Sequence, residues 1–330
     1  MQRMGNKVPN RMNRLASVKA RAILHTCLGM KQRGSILIAF DSEGEKNARP
    51  LAEAAAKRKG FLVTEYRISK DNQDERPLED LAAQMKENDV TVFCVNQRRI
   101  VTYGHSDART LAVGEGKRVA FLTQDLVETP SSRDLKRIHL KSKRLGALLE
   151  RTHRVALVTG KGRRRLDLAL NGRKSFPLSS ILVRAGDWGA VPDYAEAAIS
   201  PIEEESEGEV EIDGAIMGYG SLKTPLVLHF KGGLLSSFEG KEFSKRLQEI
   251  LENRHGSSSK ILCELGLGAN HLRKSIRGEF DDKKILGSAH IAIGDNHTIG
   301  GKNRADLHID FLVRRPRILF DGRELDLRRV

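Results

Sequence analysis

The sequence predicts an α/β protein: an N-terminal domain on a parallel sheet, followed by an α+β domain with a metal-binding centre of catalytic type. Three observations predict it. Through the first half, short β-branched apolar runs alternate with helix-like segments, the rhythm of a helix-covered parallel sheet. Near residue 160 that rhythm gives way to shorter strand-like pieces and Gly-rich turns. In the last third, histidines and carboxylates interrupt apolar strand-like runs.

The elements follow in order. Residues 11–32 are an amphipathic helix candidate, and SILIAF (35–40) is a short buried strand. An Ala/Lys-rich helix over 45–59 stops at Gly60. FLVTEYRI (61–68) is a strand, 77–87 a helix, VTVFCV (90–95) a strand, 106–115 a helix and RVAFLT (118–123) a strand. A long basic helix, 132–151, leads to the strand RVALVTG, 154–160. Beyond it, RRRLDLALNGR and SSILVRAGDWG read as meandering β structure, and 203–211 (EEESEGEVE) as an acidic surface run. VLHFKGGLLSSFEG reads as a hairpin about Gly232-Gly233, and 241–254 as a helix closed by Arg254-His255-Gly256. The domain boundary is expected near 160–185, giving domains 1–170 and 171–330, the first a lid that sets specificity. No internal repeat is visible.

The bulk numbers fit a folded soluble chain. It has 330 residues, 39% hydrophobic and 30% charged. No apolar run reaches the ~18–20 residues of a membrane span. The N-terminus MQRMGNKVPNRMNR is basic but lacks a secretory apolar core. The three cysteines are scattered through apolar runs and form neither a disulfide framework nor a metal-binding pair. A cytoplasmic location is expected. The net charge of +14 would attract acidic partners. With 5% aromatic residues there are few platforms for stacking bases, so nucleic-acid binding is not expected. Gly160-Lys161-Gly162 lacks the spacer and hydroxyl residue of a P-loop.

The segment 286–313, LGSAHIAIGDNHTIGGKNRADLHIDFLV, holds His290, His297 and His308, three of the ten histidines. On a strand, His308 and Asp310 share a face while Ile309 and Phe311 turn to the other. His290 sits in a second run, AHIAIG, joined to the first by a loop with Gly294, Gly300 and Gly301. That loop can lay the two runs side by side. Glu264 interrupts the run ILCELGLG. A buried carboxylate needs a partner or a cation. Imidazole and carboxylate without thiolate suit Zn, Mn, Fe or Co. A hydrogen-bonded core pair is the plain alternative for His308 and Asp310, a salt bridge for Glu264, and solvation for His297 and Glu196.

Together these residues resemble the thermophilic metallo-aminopeptidases, the aminopeptidase T type of leucyl aminopeptidase. LGSAHIAIG, GGKN and LHIDFLV resemble the family's closing signature, in which a His of a His-Ile-Ala-Leu-Gly run and a later His-x-Asp-Phe bind paired divalent metals. Cys263-Glu264-Leu265-Gly266 stands where the family has Leu-Gly-Glu. Phe280-Asp281-Asp282 fits its acidic turn, and Ala195-Glu196-Ala197-Ala198-Ile199-Ser200-Pro201 fits its Glu-Glu-Val-x-x-x-Pro motif. The resemblance covers roughly 190–313. It implies the ligand set Glu196, Glu264, His290, His308 and Asp310, two Zn, Co or Mn ions, a small-molecule or short-peptide substrate, and a homodimer. Glu264 would be ligand or base, and His297, standing where the family has a functional tyrosine, a catalytic group. The linker from His290 to His308 is shorter than the family's. The 2,5-dihydroxypyridine ring-cleaving dioxygenases are a second similar group. They share the Gly-Gly and His-x-Asp ending and hold one Fe(II). Their first histidine aligns with Glu264, and a non-ligand with His290.

Overall fold

The computed structural model describes residues 11–69, 79–104, 106–253 and 256–330. The chain folds as two compact units, Met1–Arg137 with Ser179–Tyr194, and Ile138–Leu178 with Ala195–Val330. The expectation was a single cut at 170/171. The divide instead falls within the helix Ser132–Arg151, and the chain returns to the first unit for one short segment.

The first unit is the parallel-sheet domain. Its strands are β1 (Gly34–Phe40), β2 (Phe61–Arg67), β3 (Val90–Cys94), β4 (Arg118–Leu122) and β5 (Trp188–Val191), in the order β2-β1-β3-β4-β5, all parallel. β3 is buried at every residue, as a strand covered on both faces must be, while the edge strand β2 exposes Leu62, Glu65 and Arg67. Leu37, Met85, Phe93, Tyr103 and Phe121 form its core, with the rings of Phe93 and Phe121 stacked 5.1 Å apart. Each such side chain contributes roughly 1.5–3 kcal/mol by leaving water. Ligands of open α/β sheets bind where the strand order reverses, here between the ends of β1 and β3. Asp41 occupies that point, accepting from the backbone N–H groups of Gly44 and Asn96 and pairing with Arg99.

β5 corrects one expectation. The segment SSILVRAGDWG has the sequence pattern of a meander, yet Trp188–Val191 is the fifth parallel strand. Four residues with a central glycine give no periodic signal, so pairing with β4 decides their state. Arg154–Thr159 is the reverse case. It is a strand as expected, but it lies antiparallel in a sheet of the second unit. Its apolar run specifies a strand and does not specify a partner.

That second sheet has seven antiparallel strands. Arg154–Thr159 and Arg164–Ala169 lie at its middle. The hairpin Leu226–Lys231 and Leu234–Glu239 turns at Gly232 (φ 55°) and Gly233 (φ 71°), the two left-handed residues a tight hairpin requires. The acidic run is only partly surface. Glu207–Ile212 is a strand of this sheet. Glu203 is mostly buried, pairs with Arg173, and accepts from Asn296 Nδ2 at 3.0 Å and from the N–H of Lys302 at 2.7 Å. The expected helix over 241–254 forms over Ser244–Glu252; residues 254 and 255, like 77 and 78 earlier, lie outside the described residues. Helix Ser132–Arg151 buries Leu135, Ile138, Ser142, Leu145 and Leu149 at helical spacing and leaves most of its basic side chains in solvent. Among the described residues no helix is long and apolar enough to cross a membrane.

The third sheet carries the site. Its inner strands are β6 (Ala195–Ile199), β7 (Leu262–Gly268), β8 (Ala289–Gly294) and β9 (His308–Val313), in the order β9-β8-β7-β6, with antiparallel pairing throughout. All but one of their residues are buried, His308 being intermediate.

Candidate metal centre

Register explains how polar groups fit on so buried a sheet. Glu196 stands opposite Gly268, His290 opposite Gly266, and His308 opposite Gly294. Ala292 lies between Glu264 on one side and Asp310 on the other. Each large polar side chain therefore faces a residue with little or no side chain. The closest case is Gly266, where a Cβ would come 2.0 Å from Cε1 of His290. The imidazole lies over that glycine. A register shift at Leu262/Glu264 brings Cys263 Sγ within 3.7 Å of His308 Nδ1.

Glu264 is the hub. Its Oε1 lies 3.1 Å from His290 Nε2 and its Oε2 3.2 Å from His308 Nε2. On one side, Glu196 Oε2 lies 3.4 Å from His290 Nε2; on the other, Asp310 Oδ1 lies 3.3 Å from His308 Nε2. Two donor groups result, Glu196–Glu264–His290 and Glu264–His308–Asp310, each with ligand atoms mutually within 4.8 Å. The five residues predicted as ligands are thus gathered at one place.

The donors suit a divalent cation. His308 Nδ1 donates to the backbone carbonyl of Asp295 at 2.9 Å. In the neutral ring this leaves a lone pair on Nε2, aimed at two carboxylate oxygens. Lone pairs do not face each other in a buried site without something positive between them, either a proton or a cation. The hydrogen bond at the far nitrogen is also how metal-binding imidazoles are oriented.

Two residues at the centre escaped the sequence reading. The turn Phe280–Lys284 places Lys283 Nζ 2.6 Å from Asp310 Oδ2 and Lys284 Nζ against Glu196 Oε1. Both lysines are buried, and their ammonium groups lie 4.9 and 5.9 Å from the Phe280 ring centroid. The acidic turn does not supply ligands. Asp282 Oδ2 accepts from the backbone N–H groups of Arg277, Gly278 and Glu279, and Asp281 pairs with Arg273 at 3.1 Å. The signal available in sequence was indirect: three carboxylates on apolar strands need cationic company. Nothing marks Lys-Lys after Asp-Asp as buried.

His297 is not brought to either donor group. It lies in the turn His297–Ile299, more than a third exposed, with Nδ1 2.7 Å from Asp295 Oδ1.

Burial would raise the carboxyls here, but hydrogen bonds and neighbouring positive charge outweigh it. Hydrogen bonds from His290 and His308, with the charge of Lys283, hold Glu264 well below the carboxylate range; Lys283 and His308 do the same for Asp310, and Lys284 with Lys283 lowers Glu196. Burial lowers Lys283, yet Asp310, Glu196 and Glu264 lift it above its ordinary value. Burial brings Lys284 down to about 8 despite Glu196. His308 is likewise raised, burial being overcome by Cys263, Asp310 and Glu264.

Fold and site together define a two-unit α/β chain with a carboxylate–histidine centre capped by lysines. No protein-family model matches the chain, and no curated protein matches it. Solved structures share the fold, among them two enzymes. The 2,5-dihydroxypyridine dioxygenase from Pseudomonas putida KT2440 superposes with a TM-score of 0.73 at 14% identity, covering 96% of each chain. AmpT from Thermus thermophilus gives a TM-score of 0.65 at 15% identity, covering 95% of this chain and 100% of its own.

Proposed function

We propose that this chain is a metal-dependent hydrolase of the aminopeptidase kind, removing residues from the N-terminus of short peptides. The observation that carries it is Glu264, one carboxylate serving two imidazoles with a further carboxylate on either side. A divalent cation bound there supplies a Lewis acid and brings a bound water's pKa toward about 7. His308, Asp310 and Glu264 are the residues to hold it on the accessible side, since the His308 side chain is 26% exposed whereas that of His290 is 0% exposed. Glu264, with a proton affinity lowered by its neighbours, acts first as a ligand; Lys283 and Lys284 set the positive field in which an oxyanion is stabilised. The fold likeness to AmpT agrees with this reading.

A second reading rests on the donor chemistry. Imidazole and carboxylate donors also suit one Fe(II) with open positions for dioxygen and a hydroxylated pyridine, and the dioxygenase named above has this fold. Loading metal-free protein with Zn, Co, Mn or, anaerobically, Fe(II) tests both. Hydrolysis of aminoacyl anilides supports the first reading, and oxygen uptake with a dihydroxypyridine the second. His308→Ala and Asp310→Ala are each expected to abolish metal uptake. Unchanged metal content in both variants would end either reading.

A further inference from the structure

The centre has a near-symmetrical division of labour. Each outer carboxylate splits its oxygens: Asp310 turns Oδ1 to His308 and Oδ2 to Lys283, and Glu196 turns Oε2 to His290 and Oε1 to Lys284. Glu264 gives one oxygen to each imidazole. With both imidazoles neutral, as a metal-binding ring must be, two ammonium groups against three carboxylates leave one negative charge. One divalent cation turns this into an excess of a single positive charge. Two would leave an excess of three in a site whose side chains are almost entirely out of water, and like charges repel strongly there. Without the lysines, two divalent cations would give the same small excess that one gives with them.

We propose that Lys283 and Lys284 stand in for a second divalent cation, so that the centre holds one ion, on Glu264, His308 and Asp310, while Lys284 closes the Glu196–Glu264–His290 group. This rests on the centre being a metal site, and it replaces the pair of ions that the aminopeptidase resemblance implies. Two observations choose the side. An ion that works on a substrate needs an open position, and only His308 among the donors is partly exposed. His308 is also the imidazole whose far nitrogen is held by a backbone carbonyl, whereas Nδ1 of His290 has no hydrogen-bond partner among the described residues. The lysines are positioning residues in this scheme. They fix the outer carboxylate oxygens and lower the affinity for further positive charge.

The test is a count. The full chain, stripped with chelator, is titrated with Zn²⁺ and, separately, Mn²⁺, and bound metal is measured after gel filtration. One ion per chain is expected. His308→Ala should lose that ion, and His290→Ala should still bind one. Lys284→Met should admit a second ion at least about tenfold more tightly than the wild type does, the size expected when one nearby like charge is removed. Two ions of comparable affinity in the wild type overturn the proposal and leave the metal-dependent reading standing. Loss of the ion in His290→Ala but not in His308→Ala overturns the choice of side. No bound ion at all overturns the proposal together with the reading beneath it. If Lys284→Met fails to fold, the wild-type count and the two histidine variants still decide.

Discussion

Lys283 and Asp310 form an ion pair with side chains only 6% and 5% exposed. Burying two charges costs several kcal/mol each, and their mutual attraction roughly offsets it. Breaking such a pair from one side is therefore expensive, because the remaining charge stays buried alone. Lys283→Met and Asp310→Asn are each expected to destabilise the metal-free chain by about 3–5 kcal/mol, whereas the double variant should cost less than their sum by about 1–3 kcal/mol. Urea unfolding of all four proteins measures the coupling; strict additivity would show that the two groups do not act as a pair. At this scale the sequence was half legible. His308 and Asp310 showed themselves by two-residue spacing on an apolar strand, and Glu264 by interrupting one. Glu196 came forward through the family resemblance. The lysines stayed hidden, because a basic pair following an acidic pair has the composition of an ordinary exposed turn.

The strands hold this chemistry in place through small residues. Gly294 ends β8 at φ 112°, and a Cβ there would come 1.9 Å from the carbonyl oxygen of Leu307, the residue before β9. Only glycine fits so close an approach in that conformation. Gly294→Ala should force β9 away from β8 at the end where His308 sits. The expected cost is about 1–3 kcal/mol in stability together with weakened metal binding. Thermal unfolding and a metal titration check both effects, and a variant that matches wild type in each would mean that the register survives. The β8 and β9 strands were readable as elements from alternation and composition. Which strands would pair was not. Arg154–Thr159 and Trp188–Val191 show the limit: one has a strong strand pattern and joins an unexpected sheet, and the other has almost none and completes a parallel one. Period and propensity describe a strand's own faces, while its partner depends on chain segments far away.

Across the molecule, the parallel-sheet half and the meandering half were both legible, but their boundary was not. The helix Ser132–Arg151 has one continuous apolar stripe, so nothing in its pattern marks the place where its residues pass from one unit to the next. Electrostatics of the centre also reach this scale, through acid stability. Glu264 and Asp310 are held below their ordinary values in the folded chain, so the folded state binds fewer protons than the unfolded one near pH 4. The stability they contribute is fully present above the unfolded values of about 4 and is lost as pH falls through the folded ones. The metal-free chain should therefore lose stability steeply below pH 4, and Glu264→Gln should flatten that limb. Denaturant midpoints between pH 2 and 7 would reveal it, and parallel curves for variant and wild type would contradict it.

All three thiols are free and buried: Cys27 and Cys94 in the first unit, Cys263 in the second. Burial raises Cys94 to about 12 and Cys263 to about 11, so almost none of either is thiolate near neutrality. A maleimide dye should then find no target until a unit opens. Its rate of attachment becomes a clock for that opening, read separately in each half. Cys263 adjoins Glu264 and reaches toward His308, so its clock should slow when an ion loads.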